Sequence, residues 1–454
     1  MIVLYMIVSG LIPNPSIFRS NLTADLVFPD LHSPLIKPAP CHQAESSALL
    51  QLKKRFAITK FASQSSLSYT KTNSWNSSSD CCSWLGVKCD EQTGHVIGLD
   101  ISSSQIYGSI ESNSTLFQLS QLEKLNLSDN HFNYSHIPSS FAHLSRLTHL
   151  DLSGSKFSGE IPEEISQLSN LLVLDLCCNY DALSPPTNLL HFKQQNLGNV
   201  VQNLTNLQVL SLGYVNMSSP IPSALTNLSS LEYLCLLSTG VYGEFPIGIF
   251  LLPNLEYLNV GANQGLSGYL PEFHSSIPLQ FLTLRSAGFR RNLPGSIGNL
   301  TRLIYLDLGY NQFKGNLPSS LLNITQLSYL DVSGNKLHGK IPLSIFSLEN
   351  LSYMDLRGNH LSGQLELGMF LWSFKMLSVL CLSYNNLSLI IKPSAFNASL
   401  AMNITTLFLA SCSMNEFPEI LKDQDQLEEL DLSNNKIKGT LPSWIYRKEN
   451  LWVL

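Results

Sequence analysis

Leucines recur through this chain at a step close to 24 residues, from Val96 to the last residue, and no other feature constrains the fold as tightly. In one rung Leu303, Leu306 and Leu308 are followed by Asn311, then by Phe313, Gly315, Leu317 and Pro318. The next rung repeats it with Leu327, Leu330, Val332 and Asn335, then Leu337, Gly339, Ile341 and Pro342. The fourth motif residues fall at Leu99, Leu125, Leu150, Leu174, Leu210, Leu234, Leu258, Leu282, Leu306, Leu330, Met354, Leu380, Leu407, Leu430 and Leu454. We read fifteen units over 96–454, the last broken off inside its own strand, with an insertion at 181–203 stretching one interval to 36 residues.

The pattern L-x-x-L-x-L-x-x-N is that of a leucine-rich repeat, each unit being one short strand and a return path. The expected fold class is an α/β repeat, a curved solenoid with a parallel β-sheet on its concave face. Length alone would suggest about three domains. A repeat array overrides that expectation, because each unit packs only on its neighbours and one core grows along the array. Leucines at motif positions one, four and six point inward, while positions three and five stand on the opposite strand face. Position nine calls for a side chain that satisfies turn backbone. Asn130, Asn179, Asn263, Asn311, Asn335, Asn359, Asn385 and Asn435 supply it, with Cys412 as a substitute. Val215, Thr239 and Ala287 depart from it, so a weaker hydrogen-bond ladder is expected around those units.

The formal charge is −6 and charged residues make up 13% of the chain, which argues against a nucleic-acid partner. No run of about 18 apolar residues is present to span a membrane. Residues 1–24 form an apolar leader of secretory length and 25–40 a Pro-rich spacer. Fourteen Asn-x-Ser/Thr sequons also favour secretion. Asn76, Asn113, Asn126, Asn203, Asn227, Asn299, Asn323, Asn350, Asn397 and Asn403 are the candidate glycan sites; Asn21, Asn133, Asn216 and Asn386 complete the set.

Residues 41–95 read as a cap. Cys41, Cys81, Cys82 and Cys89 precede the array, where an open apolar end needs a polar cover that disulfides can staple. Spacing alone allows three pairings. Adjacent cysteines make poor zinc ligands, so no metal is expected. For Cys177, Cys178, Cys235, Cys381 and Cys412 the expectation is ordinary core or strand-face occupancy.

Cys41 with Glu45 and a following helix, the Cys-Cys-x-Trp-x-Gly-Val-x-Cys run from Cys81 to Cys89, and the Gly-x-Ile-Pro closures resemble plant extracellular leucine-rich-repeat proteins. The resemblance covers roughly residues 41–454 and is strongest to plant receptor-like proteins of the disease-resistance type. It implies Cys41–Cys81 and Cys82–Cys89 pairing. It also implies a non-catalytic ectodomain that binds a peptide or protein ligand in defence or developmental signalling, through partner receptor kinases. In that reading the parent protein continues past residue 454 into more repeats and a membrane helix, and this chain is truncated. Its place is the secretory pathway and the outer face of the plasma membrane, or the cell wall if soluble. Two alternatives share the scaffold: a secreted inhibitor of microbial polygalacturonase, and the ectodomain of a receptor kinase.

The candidate ligand surface is the strand face. Position three is aromatic in six successive units, Tyr233, Tyr257, Phe281, Tyr305, Tyr329 and Tyr353, a stripe about 25 Å long at ordinary strand spacing. Such rings recognise ligands with little entropy to lose; the competing reading is that they only shield one another. Arg285 and Arg357 at position seven and Tyr310 at position eight add charge and a further ring, while Asp307, Asp331 and Asp355 follow one line. No phosphate-binding glycine loop, H-E-x-x-H or G-x-S-x-G is present, so no catalytic residue and no cofactor are expected.

Overall fold

Each unit buries three inward residues and then turns, so its strand is short and its stability comes from the units on either side. The structure, a computed structural model, describes residues 38–181, 187–193, 196–273, 277–391 and 404–452. The leader at 1–24, most of the spacer, and sequons Asn21, Asn397 and Asn403 lie outside the described residues. The chain divides into two units, Met1–Met217 and Ser218–Leu454.

In the first unit helix α1 (Gln43–Lys53) packs Ala48, Leu49 and Leu52 inward. Strand β1 (Val87–Cys89) runs antiparallel to β2 (Val96–Asp100). Parallel strands β3 (Lys124–Asn126), β4 (His149–Asp151), β5 (Val173–Asp175) and β6 (Val209–Ser211) follow in sequence order. The cap is stapled by Cys41–Cys81 and Cys82–Cys89, the pairing that the family resemblance implies. Glu45 of α1 is buried, and its carboxylate accepts the Val96 N–H at 2.9 Å and lies 3.1 Å from His95 Nδ1. It thereby occupies a backbone donor at the start of the first repeat strand. Trp75 and Trp84 stack at 5.7 Å, each indole N–H satisfied, by the Leu85 carbonyl and the Ser79 hydroxyl.

The segment 181–203 is less of a departure than its length suggests. Leu190–His191 pairs in parallel with Gly159–Glu160, and helix α2 (Asn196–Gln202) precedes Leu204 and Leu207 where other units carry a 3-10 turn. Its second half thus follows the ordinary return path. Cys177 and Cys178, expected as separate occupants, are joined to each other.

In the second unit nine strands stack in sequence order and in parallel: β7 (Tyr233–Cys235), β8 (Tyr257–Asn259), β9 (Phe281–Thr283), β10 (Tyr305–Asp307), β11 (Tyr329–Asp331), β12 (Tyr353–Asp355), β13 (Val379–Cys381), β14 (Thr406–Phe408) and β15 (Glu429–Asp431). Register follows the motif without slip; Leu306, for instance, sits opposite Leu282 and Leu330. A second parallel ribbon, from Arg290–Asn292 to Asn386–Ile390, forms along the return path. Leu303, Leu306, Leu308, Phe313 and Leu317 of one repeat are all buried, at about 2 kcal/mol each by area.

Two devices close each unit. Prolines such as Pro294, Pro318 and Pro342 sit immediately before five-residue 3-10 turns, where a fixed φ and missing N–H cost nothing. Asparagine at position nine ties the turn to the unit before it. Asn335 Nδ2 donates to the carbonyls of Leu308 (2.9 Å) and Val332 (3.0 Å), and its Oδ1 accepts the Phe313 N–H at 3.0 Å. Thr239 keeps one such bond, to the Leu236 carbonyl, while the apolar Val215 and Ala287 have no polar atom to offer. The fold is a leucine-rich-repeat solenoid with a disulfide-stapled N-terminal cap.

Candidate functional site

Position-three side chains of β7 to β12 share one face and one register, so their rings meet. Successive centroids from Tyr233 through Tyr257, Phe281, Tyr305 and Tyr329 to Tyr353 lie 4.1, 4.3, 4.1, 4.0 and 4.2 Å apart, nearly parallel. Each contact of this kind adds about 1 kcal/mol beyond burial. The rings are 1–4% exposed. The expectation of an open aromatic contact stripe is therefore corrected: these six rings cover one another and form a wall. Burial pushes the hydroxyl pKa of Tyr305, Tyr329 and Tyr353 well up.

Beside the wall runs the carboxylate column. Asp307, Asp331 and Asp355 are buried, and each Oδ1 accepts the backbone N–H two residues on, from Gly309 (2.9 Å), Ser333 (2.8 Å) and Arg357 (3.0 Å). Two arginines answer them. Arg285 Nη1 lies 3.4 Å from Asp307 and bonds Asp331 one strand further on. Arg357 Nε lies 3.0 Å from Asp355 Oδ2, but out of line for a hydrogen bond. Desolvation, with the neighbouring Asp331 charge, raises Asp307 and Asp355 to about 7, while Arg285 and Arg357 respectively oppose the rise. Both guanidinium pKa values stand above their ordinary range: the carboxylates outweigh a large desolvation that acts the other way.

Position eight carries the exposed part of this region. It is left-handed in repeat after repeat: Ser238, Ala262, Ser286, Tyr310, Gly334, Gly358, Tyr384 and Ser411 have φ between 53° and 65°. A tyrosine in that conformation is strained by about 1 kcal/mol, and here two rings point out, Tyr310 at 49% and Tyr384 at 54% exposure. The Arg285 guanidinium lies 4.6 Å over the Tyr310 ring, which leans across Gly334. Of the expected ligand residues, then, Arg285, Arg357 and Tyr310 come together at the strand exits, Tyr310 the most open of them, and the six rings stand behind. Tyr384, which the sequence also places at position eight, belongs to the same exposed column, and glycines at 154, 334 and 358 share that motif position and mark it as left-handed.

Three buried polar atoms in this cluster make no hydrogen bond among the described residues: Ser333 Oγ, Asp355 Oδ2 and Arg357 Nε.

Sequon asparagines at 76, 113, 203, 227, 299, 323 and 350 are exposed. Asn126 is corrected: it lies buried in β3, with Oδ1 accepting from Ser128 N (2.9 Å) and Oγ (2.7 Å), so no glycan fits there. Cys235, Cys381 and Cys412 are buried and outside the disulfides, and burial pushes the Cys412 thiol up to about 12.

Models of two families match, Leucine rich repeat N-terminal domain over residues 42–90 and Leucine Rich Repeat over 121–144, 146–168, 302–324, 326–348 and 426–447. The chain is 38% identical over 276 residues to Receptor-like protein 6 of Arabidopsis thaliana, covering 59% of this chain and 28% of that protein. It is 38% identical over 278 residues to Receptor-like protein Cf-9 of Solanum pimpinellifolium, covering 59% and 31%. It thus spans less than a third of either relative's length. Its fold resembles that of the plant peptide hormone receptor RGFR1 in complex with RGF2, with a TM-score of 0.60 and 26% identity over 82% of this chain and 67% of that one. A cysteine-stapled cap, an unbroken register of leucine motifs and these matches together show a leucine-rich-repeat protein whose curated relatives are receptor-like proteins of plants.

Proposed function

We propose that this chain is the recognition part of a plant cell-surface receptor-like protein, binding a peptide or protein ligand on its strand face. The observation that carries the reading is the Arg285–Tyr310 pair: a strained, half-exposed ring held over a guanidinium that is itself locked on two buried carboxylates. Strain of this kind is tolerated where a side chain must be presented. Tyrosine and arginine are also the residues most used at the centres of protein interfaces. The RGFR1 structure, a receptor bound to a peptide hormone, supports a peptide as ligand class. Signalling then passes to partner receptor kinases, and the ectodomain works outside the cell, on the plasma membrane or in the wall.

A displayed random-peptide library panned on the secreted chain tests this. Peptides enriched on the wild-type chain should lose at least tenfold in affinity on a Tyr310→Ala/Tyr384→Ala variant of unchanged melting temperature, a difference of about 1.4 kcal/mol. Enrichment equal to that on an unrelated repeat protein, or equal binding by the variant, removes the strand-exit surface from the reading.

A further inference from the structure

A cavity of about 440 Å3 opens in the second unit beside the strand entries, away from the position-eight column, and is lined by Glu232, Pro253, Asn254, Glu256, Pro278 and Arg302. Glu232 and Glu256 hold motif position two just before β7 and β8, and the Glu256 N–H donates to the Glu232 carbonyl at 2.8 Å. Two like charges on directly neighbouring strands repel. The fold has no need of them, because the next four units place Gln280, Ile304, Ser328 and Ser352 there. Desolvation, and then the Glu256 charge, raises the Glu232 carboxyl.

The expected answer to such a pair is a neighbouring cation, and one is present but not used. Among the described residues Arg302 pairs with neither glutamate, and none of the three side chains makes a hydrogen bond or an ion pair. Two unpaired carboxylates and one unpaired guanidinium thus line a single cavity without neutralising each other. Asn254 is fixed by its Nδ2, which donates to the Ser229 carbonyl at 2.9 Å, so its Oδ1 remains for an incoming donor. Two prolines of restricted φ make the walls stiff, and the volume lies at the low end of the range for small-molecule pockets.

We propose that this cavity binds the C-terminal basic residue of a peptide. The ligand's guanidinium or ammonium is held by Glu232 and Glu256, and its terminal carboxylate by Arg302, a geometry that charge-assisted hydrogen bonds reward. A group of one sign alone leaves the other side of the cavity unpaired, so the residue and its free terminus are read together. The site does not depend on the strand-exit surface.

Calorimetric titration of the secreted chain with acetyl-Gly-Gly-Arg, the same peptide as its C-terminal amide, and its citrulline analogue tests the proposal. The free acid should bind one to one and at least tenfold tighter than either analogue. Glu232→Gln/Glu256→Gln should abolish the preference for arginine over citrulline, and Arg302→Gln the preference for acid over amide, each with an unchanged melting temperature. Tyr310→Ala should leave the titration as it is. Absence of saturable binding, equal affinity for the citrulline peptide, wild-type behaviour of the glutamine variants, or loss of binding in Tyr310→Ala would each overturn it.

Discussion

Arg285 passes over Gly309 to bond the carboxylate of Asp331, two strands from its own. A Cβ on Gly309 would stand 2.7 Å from Arg285 Nη1 and 2.9 Å from Asp331 Oδ1, so the bridge exists because position seven of the intervening unit has no side chain. Gly309→Ala is expected to cost about 2 kcal/mol through overpacking. Arg285→Ala is expected to cost about 3 kcal/mol or more, since it strands buried carboxylates. Urea unfolding of the two variants and their double mutant should show strong non-additivity; simple additivity would mean that the two residues act separately.

The carboxylate column makes stability depend on pH in the less common direction. Asp307 and Asp355 titrate near 7 in the folded chain against an ordinary value of 3.8. Their folded pKa is raised, so the folded state binds more protons between about pH 4 and 7. Their contribution is fully present below pH 4 and is lost as the pH climbs through 7. Unfolding free energies should therefore be higher at pH 5 than at pH 7.5, by on the order of 2–3 kcal/mol for each of the two carboxyls, and Asp307→Asn should remove about half of the difference. A midpoint that rises from pH 5 to 7.5 would contradict the assignment.

The ring wall is a stability element. Tyr305 is stacked on both faces, at 4.1 Å on Phe281 and 4.0 Å on Tyr329. Tyr305→Ala should cost about 3–5 kcal/mol, while Tyr305→Phe, which keeps the stack, should cost about 1 kcal/mol. Thermal unfolding of the secreted variants decides it, and an alanine variant as stable as wild type would reopen the stripe as a ligand surface.

In the cap, Glu45→Ala leaves the Val96 N–H without its acceptor. A loss of about 2 kcal/mol is expected, with early hydrogen exchange at the Val96 amide as the local readout. Unchanged exchange there would show that the capping bond is dispensable.

Glycan occupancy should divide by burial. Peptide mapping of the chain secreted from plant cells is expected to find Asn113, Asn227 and Asn323 modified and Asn126 bare. A glycan on Asn126 would require β3 to form differently.

The period of 24 was enough to determine the strand positions, the inward leucines and the asparagine turns, because these follow from spacing along a single unit and each unit meets a near copy of itself. The cap was legible for a similar reason: four cysteines and an acid precede the first exposed strand. What lies on the strand face was decided by the tertiary structure. Whether Tyr257 is a contact or a wall depends on the rings at positions 24 residues before and after it. Arg285 reaches Asp331 because Gly309, between them, is empty. Glu232 and Glu256 become a binding wall because a proline-lined cavity opens beside them and Arg302 does not close it. Burial and charge pairing are set by neighbours that a motif aligns but does not size, and so they emerged when the units were stacked.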